Sequence, residues 1–245
     1  LFRSPQDAKP VIEPAICPAC KGTLVKEEGE VALRCINPGC PAQIQRRVRH
    51  FASRGAMDID GLGDAVIEQL VKYHSINKLS DIYNLTLFDV MPLKSFADKK
   101  ADNLLNAIEK SKHRPLDKFI FALGIRHIGA KMAETLARHF GTLENLTKAQ
   151  VSELAKIPEI GEVAAQSIFD FFNSPEVQTE LKNFMLLGIK LEPLKQKTSA
   201  LLEGKTFVFT GELETLTREQ AQNLAKENGA KVSGSVSGKT YAGVA

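Results

Sequence analysis

Ile59-Asp60-Gly61-Leu62-Gly63 is the first of four copies of one short pattern. The others are Leu93-Lys94-Ser95-Phe96-Ala97, Ile125-Arg126-His127-Ile128-Gly129 and Ile157-Pro158-Glu159-Ile160-Gly161. Their starts lie 34, 32 and 32 residues apart, a near-constant period that marks a repeated supersecondary unit. Each copy reads apolar, any residue, small or polar, apolar, small. Four residues past the last position stand Ile67, Ala101, Ala133 and Ala165, and seven past it Leu70, Leu104, Leu136 and Ile168. Offsets of four and seven share one helix face. Each pattern is therefore a tight hairpin that opens an amphipathic helix, and stretches such as Leu116–Leu123 supply a helix before it.

The unit resembles the helix-hairpin-helix motif of DNA-binding proteins. Glycine permits positive φ and the close approach of another backbone. The free N–H groups that begin the second helix suit a phosphate oxygen, and such contacts hold a duplex without reading its bases. The plainer reading is a helical array whose glycines only cap helices; four copies in register favour phosphate binding. The copies are unequal. Gly61 and Gly63 complete the first. The second carries Ser95 and Ala97 in place of glycines and is expected to pack rather than grip. The third has Arg126, His127, Gly129 and Lys131. The fourth keeps Gly161 but carries Glu159, which repels phosphate.

Charge placement says more than net charge. Lys+Arg total 32 against Asp+Glu 29, a formal charge of +3, which permits a nucleic-acid partner without demanding one. Yet Arg46, Arg47, Arg49 and Arg54 lie in a run from Pro41 to Met57 that contains no acid, a candidate contact for a phosphate backbone. A second basic region, Lys94 to Lys118, mixes Lys94, Lys99, Lys100, Lys110, Lys112, Arg114 and Lys118 with Asp98, Asp102, Glu109 and Asp117. It fits DNA contact and an ordinary solvated face equally. With 43% hydrophobic residues, disorder is not expected. The longest apolar stretches, near Phe119–Leu123 and Phe184–Leu187, are too short for a membrane helix. No secretory leader opens the chain, and the absence of an initial methionine suggests a fragment.

All four cysteines lie between positions 17 and 40, as Cys17-x2-Cys20, a gap of 14 residues, and Cys35-x4-Cys40. Two close pairs about 15 residues apart is the layout of a four-thiolate structural zinc site. Four thiolates fill the tetrahedron and leave no position for a catalytic water. Thr23–Val25 and Val31–Leu33 flank a polar turn, Glu27–Glu30, and read as a hairpin with a cysteine knuckle at each end. Two disulfides are the alternative, less suited to a chain without a secretion signal.

The expected fold class is mainly α and multi-domain. A tail or linker occupies residues 1–15, a four-cysteine zinc finger 16–45, an all-α helix-hairpin-helix domain 46–194, a linker 195–203 and a partial α/β domain 204–245. In the last, Thr206–Gly211 reads as a strand, and Thr217-Arg218-Glu219-Gln220 as a capping-box start to a helix over 218–228. Gly229 reads as its stop, and Lys231-Val232 and Ser235–Ser237 as short strands. This resembles the opening β-α-β of a BRCT domain, with the later helix and strand missing.

The ordered combination resembles the bacterial NAD-dependent DNA ligases from about Cys17 to Lys239. Cys40-Pro41-Ala42-Gln43, Met57–Gly63 and Gly204–Gly211 also match individually. That resemblance implies an intact protein that seals 5′-phosphate, 3′-hydroxyl nicks in duplex DNA in replication and repair. It would use NAD and Mg2+ besides the structural Zn2+. The family's chemistry resides in an N-terminal nucleotidyltransferase domain and an adjoining oligonucleotide-binding barrel, both expected outside this chain. The K-x-D-G motif is absent; Lys100-Ala101-Asp102-Asn103 is the nearest string and reads as a helical face. No catalytic residue is assigned, and the chain alone is expected to be inactive. The implied zinc ligands are Cys17, Cys20, Cys35 and Cys40. The implied partners are nicked duplex DNA and the protein's own N-terminal domains, for a monomer of the bacterial cytoplasm associated with the nucleoid and with no membrane contact. Two other readings are a stand-alone DNA-repair adaptor and a zinc-stabilised protein-interaction scaffold.

Overall fold

Cys40 does two jobs in the chain: it ends the second cysteine pair and caps the first helix, with Pro41 at the first helical position, where a missing N–H costs nothing. The computed structural model describes residues 13–26, 31–37, 39–94, 96–194, 201–211, 213, 215–238 and 240–244. The expected Glu27–Glu30 turn, Ser95, the 1–12 tail and the Lys195–Ser199 linker lie outside them. The chain divides into two compact units, Leu1–Glu192 and Pro193–Ala245.

In the first unit, β1 (Leu24–Lys26) and β2 (Leu33–Cys35) form a two-stranded antiparallel sheet with Leu24 opposite Cys35. Helix α1 (Pro41–Ala52) follows. It runs without a break through the 45/46 boundary drawn from the sequence, because Cys40 itself starts it. Next come α2 (Asp64–Lys72), a 3-10 helix (Leu79–Asn84), α3 (Leu87–Val90) and α4 (Asp98–Ser111). The remaining helices are α5 (Leu116–Ala122), α6 (Ala130–Phe140), α7 (Leu143–Lys148), α8 (Val151–Leu154), α9 (Glu162–Asn173) and α10 (Pro175–Leu186). Every apolar position that the repeat predicted at offsets four and seven is buried, from Ile67 and Leu70 to Ala165 and Ile168.

These helices close around an aromatic cluster drawn from distant parts of the chain. Phe51 of α1 stacks on Phe184 of α10 at 5.7 Å between centroids, and Phe119 of α5 meets Phe184 edge-on at 5.3 Å. Tyr83, also against Phe184 at 6.0 Å, hydrogen-bonds Ser111 at 3.0 Å; burial raises its phenol well above the usual range. The segment after α10 returns to the middle of the unit. Lys190 N–H donates to Lys112 O at 2.9 Å, and Leu116 N–H to Glu192 O at 2.9 Å. The last hairpin pair is thereby tied to the end of α4.

The second unit has β3 (Thr206–Phe209), α11 (Arg218–Glu227), β4 (Lys231–Ser233) and β5 (Ala242–Val244), in a parallel sheet of order β4-β3-β5. Thr217 and Gln220 form the expected reciprocal cap, with bonds of 3.2 and 2.8 Å. Gly229 takes φ +92° past the helix end. One expectation is corrected. Ser235–Ser237 is not a strand; Val236 is exposed and a Ser237–Thr240 turn follows. Ala242–Val244 instead pairs with β3, with Ala242 opposite Phe207 and Val244 opposite Phe209. No helix among the described residues is long and apolar enough to cross a membrane.

Candidate metal centre and nucleic-acid interface

The first knuckle is shaped by backbone bonds. Cys17 N–H donates to Gly22 O at 2.9 Å and Lys21 N–H to Cys17 O at 2.8 Å, with Lys21 at φ +61°. In the second, Gly39 N–H donates to the Asn37 side chain at 3.0 Å and Cys40 N–H to Asn37 O at 3.1 Å. The β1–β2 pairing brings the knuckles together. All four sulfurs lie within 4.8 Å of one another, with Cys17–Cys40 at 3.8 Å and Cys20–Cys35 at 3.4 Å. A tetrahedron of ~2.3 Å Zn–S bonds sets its sulfurs about 3.8 Å apart, whereas a disulfide needs about 2.05 Å. The four thiols are free, so the disulfide alternative is not the one adopted.

Charge gives a second test of fit. The Gly22 N–H aimed at Cys20 Sγ brings that thiol down to about 6, against an opposing burial effect. For Cys35 the Asn37 N–H also lowers the thiol, but burial and the three neighbouring sulfurs prevail and push it up to about 12. Four sulfurs this close do not share four negative charges without a cation. The donor set is soft, tetrahedral and closed, which is the chemistry of structural Zn2+. Gln43 of α1 also donates to Cys35 O, so the metal site and α1 are tied by a side chain as well as by Cys40.

The hairpins repeat one turn. Leu62 N–H donates to Ile59 O at 3.3 Å, Phe96 N–H to Leu93 O at 3.2 Å, Ile128 N–H to Ile125 O at 3.1 Å, and Ile160 N–H to Ile157 O at 3.1 Å. At the middle position Gly61, His127 and Glu159 take φ of +85°, +67° and +73°. The next helix starts at Gly63, Ala97, Gly129 or Gly161, all extended and none with a side-chain cap. A Cβ at Gly63, Gly129 or Gly161 would meet nothing within 4 Å. Three helix N-termini are thus open to a ligand, and α6 has no acid in its first turn, so its positive end is unmasked.

The copies associate in two pairs. A Cβ added at Gly61 would come within 3.6 Å of Leu104 of α4, and Lys94 N–H donates to Gln69 of α2 at 2.8 Å, joining the first and second. An ion pair between Lys131 of α6 and Glu159 joins the third and fourth. Helix α1 bridges the pairs. Its His50 ring reaches Phe121 O at 2.7 Å, and Arg46 and Arg47 line a cavity of about 480 Å³ with Gly124, Ile125 and Ile128. Arg49 pairs with Asp64, the first residue of α2, at 2.5 Å. Arg46, Arg47, Arg49 and Arg54 are all exposed, as are Arg126, His127 and Lys131. The structure therefore gathers the α1 arginines beside the first and third hairpins, a convergence invisible in sequence order.

The second basic region divides. Arg114 donates twice to Ala56 O, at 3.3 and 3.2 Å, and approaches Asp58 at 3.8 Å, holding the loop before the first hairpin. Lys112 pairs with Glu109 at 2.7 Å and Lys118 with Asp117 at 3.2 Å. Lys100 lies over the Phe96 ring at 4.6 Å, and Lys100–Asn103 is a turn of α4 with Ala101 buried, so that string is a helical face. Lys99, named in the sequence as part of the second basic region, occupies in the second copy the place of Lys131 in the third.

Fold and site together define a zinc-anchored tandem helix-hairpin-helix protein with an attached α/β unit. Family models match it in three places: the NAD-dependent DNA ligase C4 zinc finger domain over residues 17–42, the helix-hairpin-helix motif over 118–181, and the BRCT domain over 197–244. Among curated relatives, a protein named DNA ligase from Thermomicrobium roseum is 44% identical over 238 residues, covering 96% of this chain and 34% of its own length. One of the same name from Anoxybacillus flavithermus is 46% identical over 236 residues, covering 95% and 35%. The chain belongs to the NAD-dependent DNA ligases, of which it carries the zinc-finger, helix-hairpin-helix and BRCT modules. It spans about a third of the length of the curated relatives it matches.

Proposed function

We propose that this chain is the duplex-gripping part of an NAD-dependent DNA ligase that seals nicks bearing 5′-phosphate and 3′-hydroxyl ends. The observation that carries this reading is the set of open helix starts at Gly63, Gly129 and Gly161 beside the exposed arginines of α1. Backbone N–H groups and a helix dipole would meet one phosphate oxygen at each start, while Arg46, Arg47, Arg49 and Arg54 neutralise neighbouring phosphates. Arg126, His127 and Lys131 flank the third start. Phosphate contacts fix the duplex without selecting its sequence, which suits an enzyme that must seal any nick. The zinc centre holds the start of α1, and so positions the arginines.

NAD supplies the adenylyl group and Mg2+ the charge stabilisation in the family's reaction; the residues of this chain bind and orient DNA. The partners of this reading are nicked duplex DNA and the protein's own catalytic and barrel domains, for a monomer in the bacterial cytoplasm and nucleoid. The test is a joining assay. The 245-residue chain is expected to bind nicked duplex and seal none of it with NAD and Mg2+, whereas the full-length protein seals it. Joining by the chain alone, or an inert full-length protein, would overturn the assignment.

A further inference from the structure

Two of the cations assigned to DNA already hold a carboxylate, and both carboxylates stand at hairpin mouths. Arg49 meets Asp64, directly after Gly63, and Lys131 meets Glu159, the positive-φ residue of the fourth hairpin. All four side chains are at least two-fifths exposed. Such pairs are weak in water, worth at most about 1 kcal/mol, so they order a cation without locking it. Asp64 also sits in the first turn of α2 and Glu162 in that of α9, where a negative group is favoured by the helix dipole. A carboxylate at these places occupies the electrostatic position that a phosphate would take.

We propose that Asp64 and Glu159 are phosphate surrogates: they hold Arg49 and Lys131 in place in the free protein and are displaced by the duplex on binding. The proposal rests on the DNA-gripping reading and adds its regulation. Each exchange trades one ion pair for another and leaves a carboxylate near the phosphate, so the grip is weaker than the arginine and lysine count implies. For a protein that must release its product duplex, a grip held down in this way speeds departure.

The experiment measures the Kd of the chain for nicked duplex across a salt series. The variants are Glu159→Gln, Asp64→Asn and a control, Glu144→Gln, whose carboxylate pairs with Lys148 on α7 at 2.6 Å, away from the hairpin positions. Glu159→Gln and Asp64→Asn are expected to tighten binding roughly two- to fivefold and to steepen the salt slope by about one, while Glu144→Gln changes neither. Lys131→Ala should weaken binding in the parent chain, and combining it with Glu159→Gln should abolish the gain that Glu159→Gln gives alone. A merely structural pair would show no such coupling. Tightening no greater than that of Glu144→Gln, or no coupling to Lys131, overturns the proposal with DNA binding intact. Failure of the parent chain to bind DNA at all overturns the underlying reading as well.

Discussion

Replacing Gly129 by Asp is expected to weaken duplex binding by more than about tenfold while leaving the fold as stable as before or slightly more so. Gly129 caps α6 at φ −88° and ψ 176°, an extended geometry open to any residue, and a Cβ there meets nothing. Aspartate is among the best N-cap residues, a few tenths of a kcal/mol better than glycine. Its carboxylate would accept the N–H groups that the proposed phosphate uses, and would add a negative charge where that phosphate sits. Gly63→Asp, at φ −85° and ψ 175°, should behave alike at the first hairpin. Stability and binding then move in different directions, which a general loss of folding does not produce. Gly61 is a poorer test: at φ +85° any side chain strains the turn by about 1–2 kcal/mol, so lost binding there reads equally as damage. Thermal melting and a filter-binding titration on the same samples check the pair. Unchanged DNA affinity in both glycine variants would mean that the hairpins only cap helices.

Cys40→Ser is expected to remove the bound zinc and unfold the segment from Cys17 to Cys40, with most of the later helices intact. Cys40 is 1% exposed and is at once a ligand and the residue that starts α1. Apparent zinc-binding energies in small four-ligand modules are of order 10 kcal/mol, and a short two-stranded sheet such as β1–β2 has no other source of that size. Val48 and Phe51, both wholly buried, would keep the second half of α1 in the core. Its first turns, which lead to Arg46 and Arg47, would fray, and DNA affinity should fall with them. Metal analysis should give one zinc per chain in the parent and near none in the variant. Full DNA affinity and an unchanged unfolding transition without zinc would show that the cysteines do not organise α1.

The repeat, the cysteine knuckles and the Thr217 cap were legible in the sequence because each is local: a hydrophobic period, a pair spacing, a reciprocal side-chain bond. What escaped depends on contacts across the chain. Glu159 reads alone as a repulsive acid; its meaning changes once the pairing of hairpins brings Lys131 to it. Positive φ at His127 and Glu159 is imposed by the flanking buried isoleucines, which fix the turn whatever residue stands between them. Arg114 and Lys112 read as surface charge, yet their backbone neighbours and Asp58 or Glu109 claim them. Ala242–Val244 lacks the long apolar run of a buried strand, and only its place beside β3 makes it one. Helix α1 runs across the 45/46 boundary because one cysteine serves both the metal and the helix.

The most direct test of the central claim is the salt dependence of the chain's affinity for two nicked duplexes of unrelated sequence. The plots of log Kd against log salt concentration are expected to coincide, with a slope of magnitude about four to seven, the value for roughly five to eight neutralised phosphates. An affinity indifferent to salt, or one that differs widely between the two sequences, would contradict a grip made through phosphates.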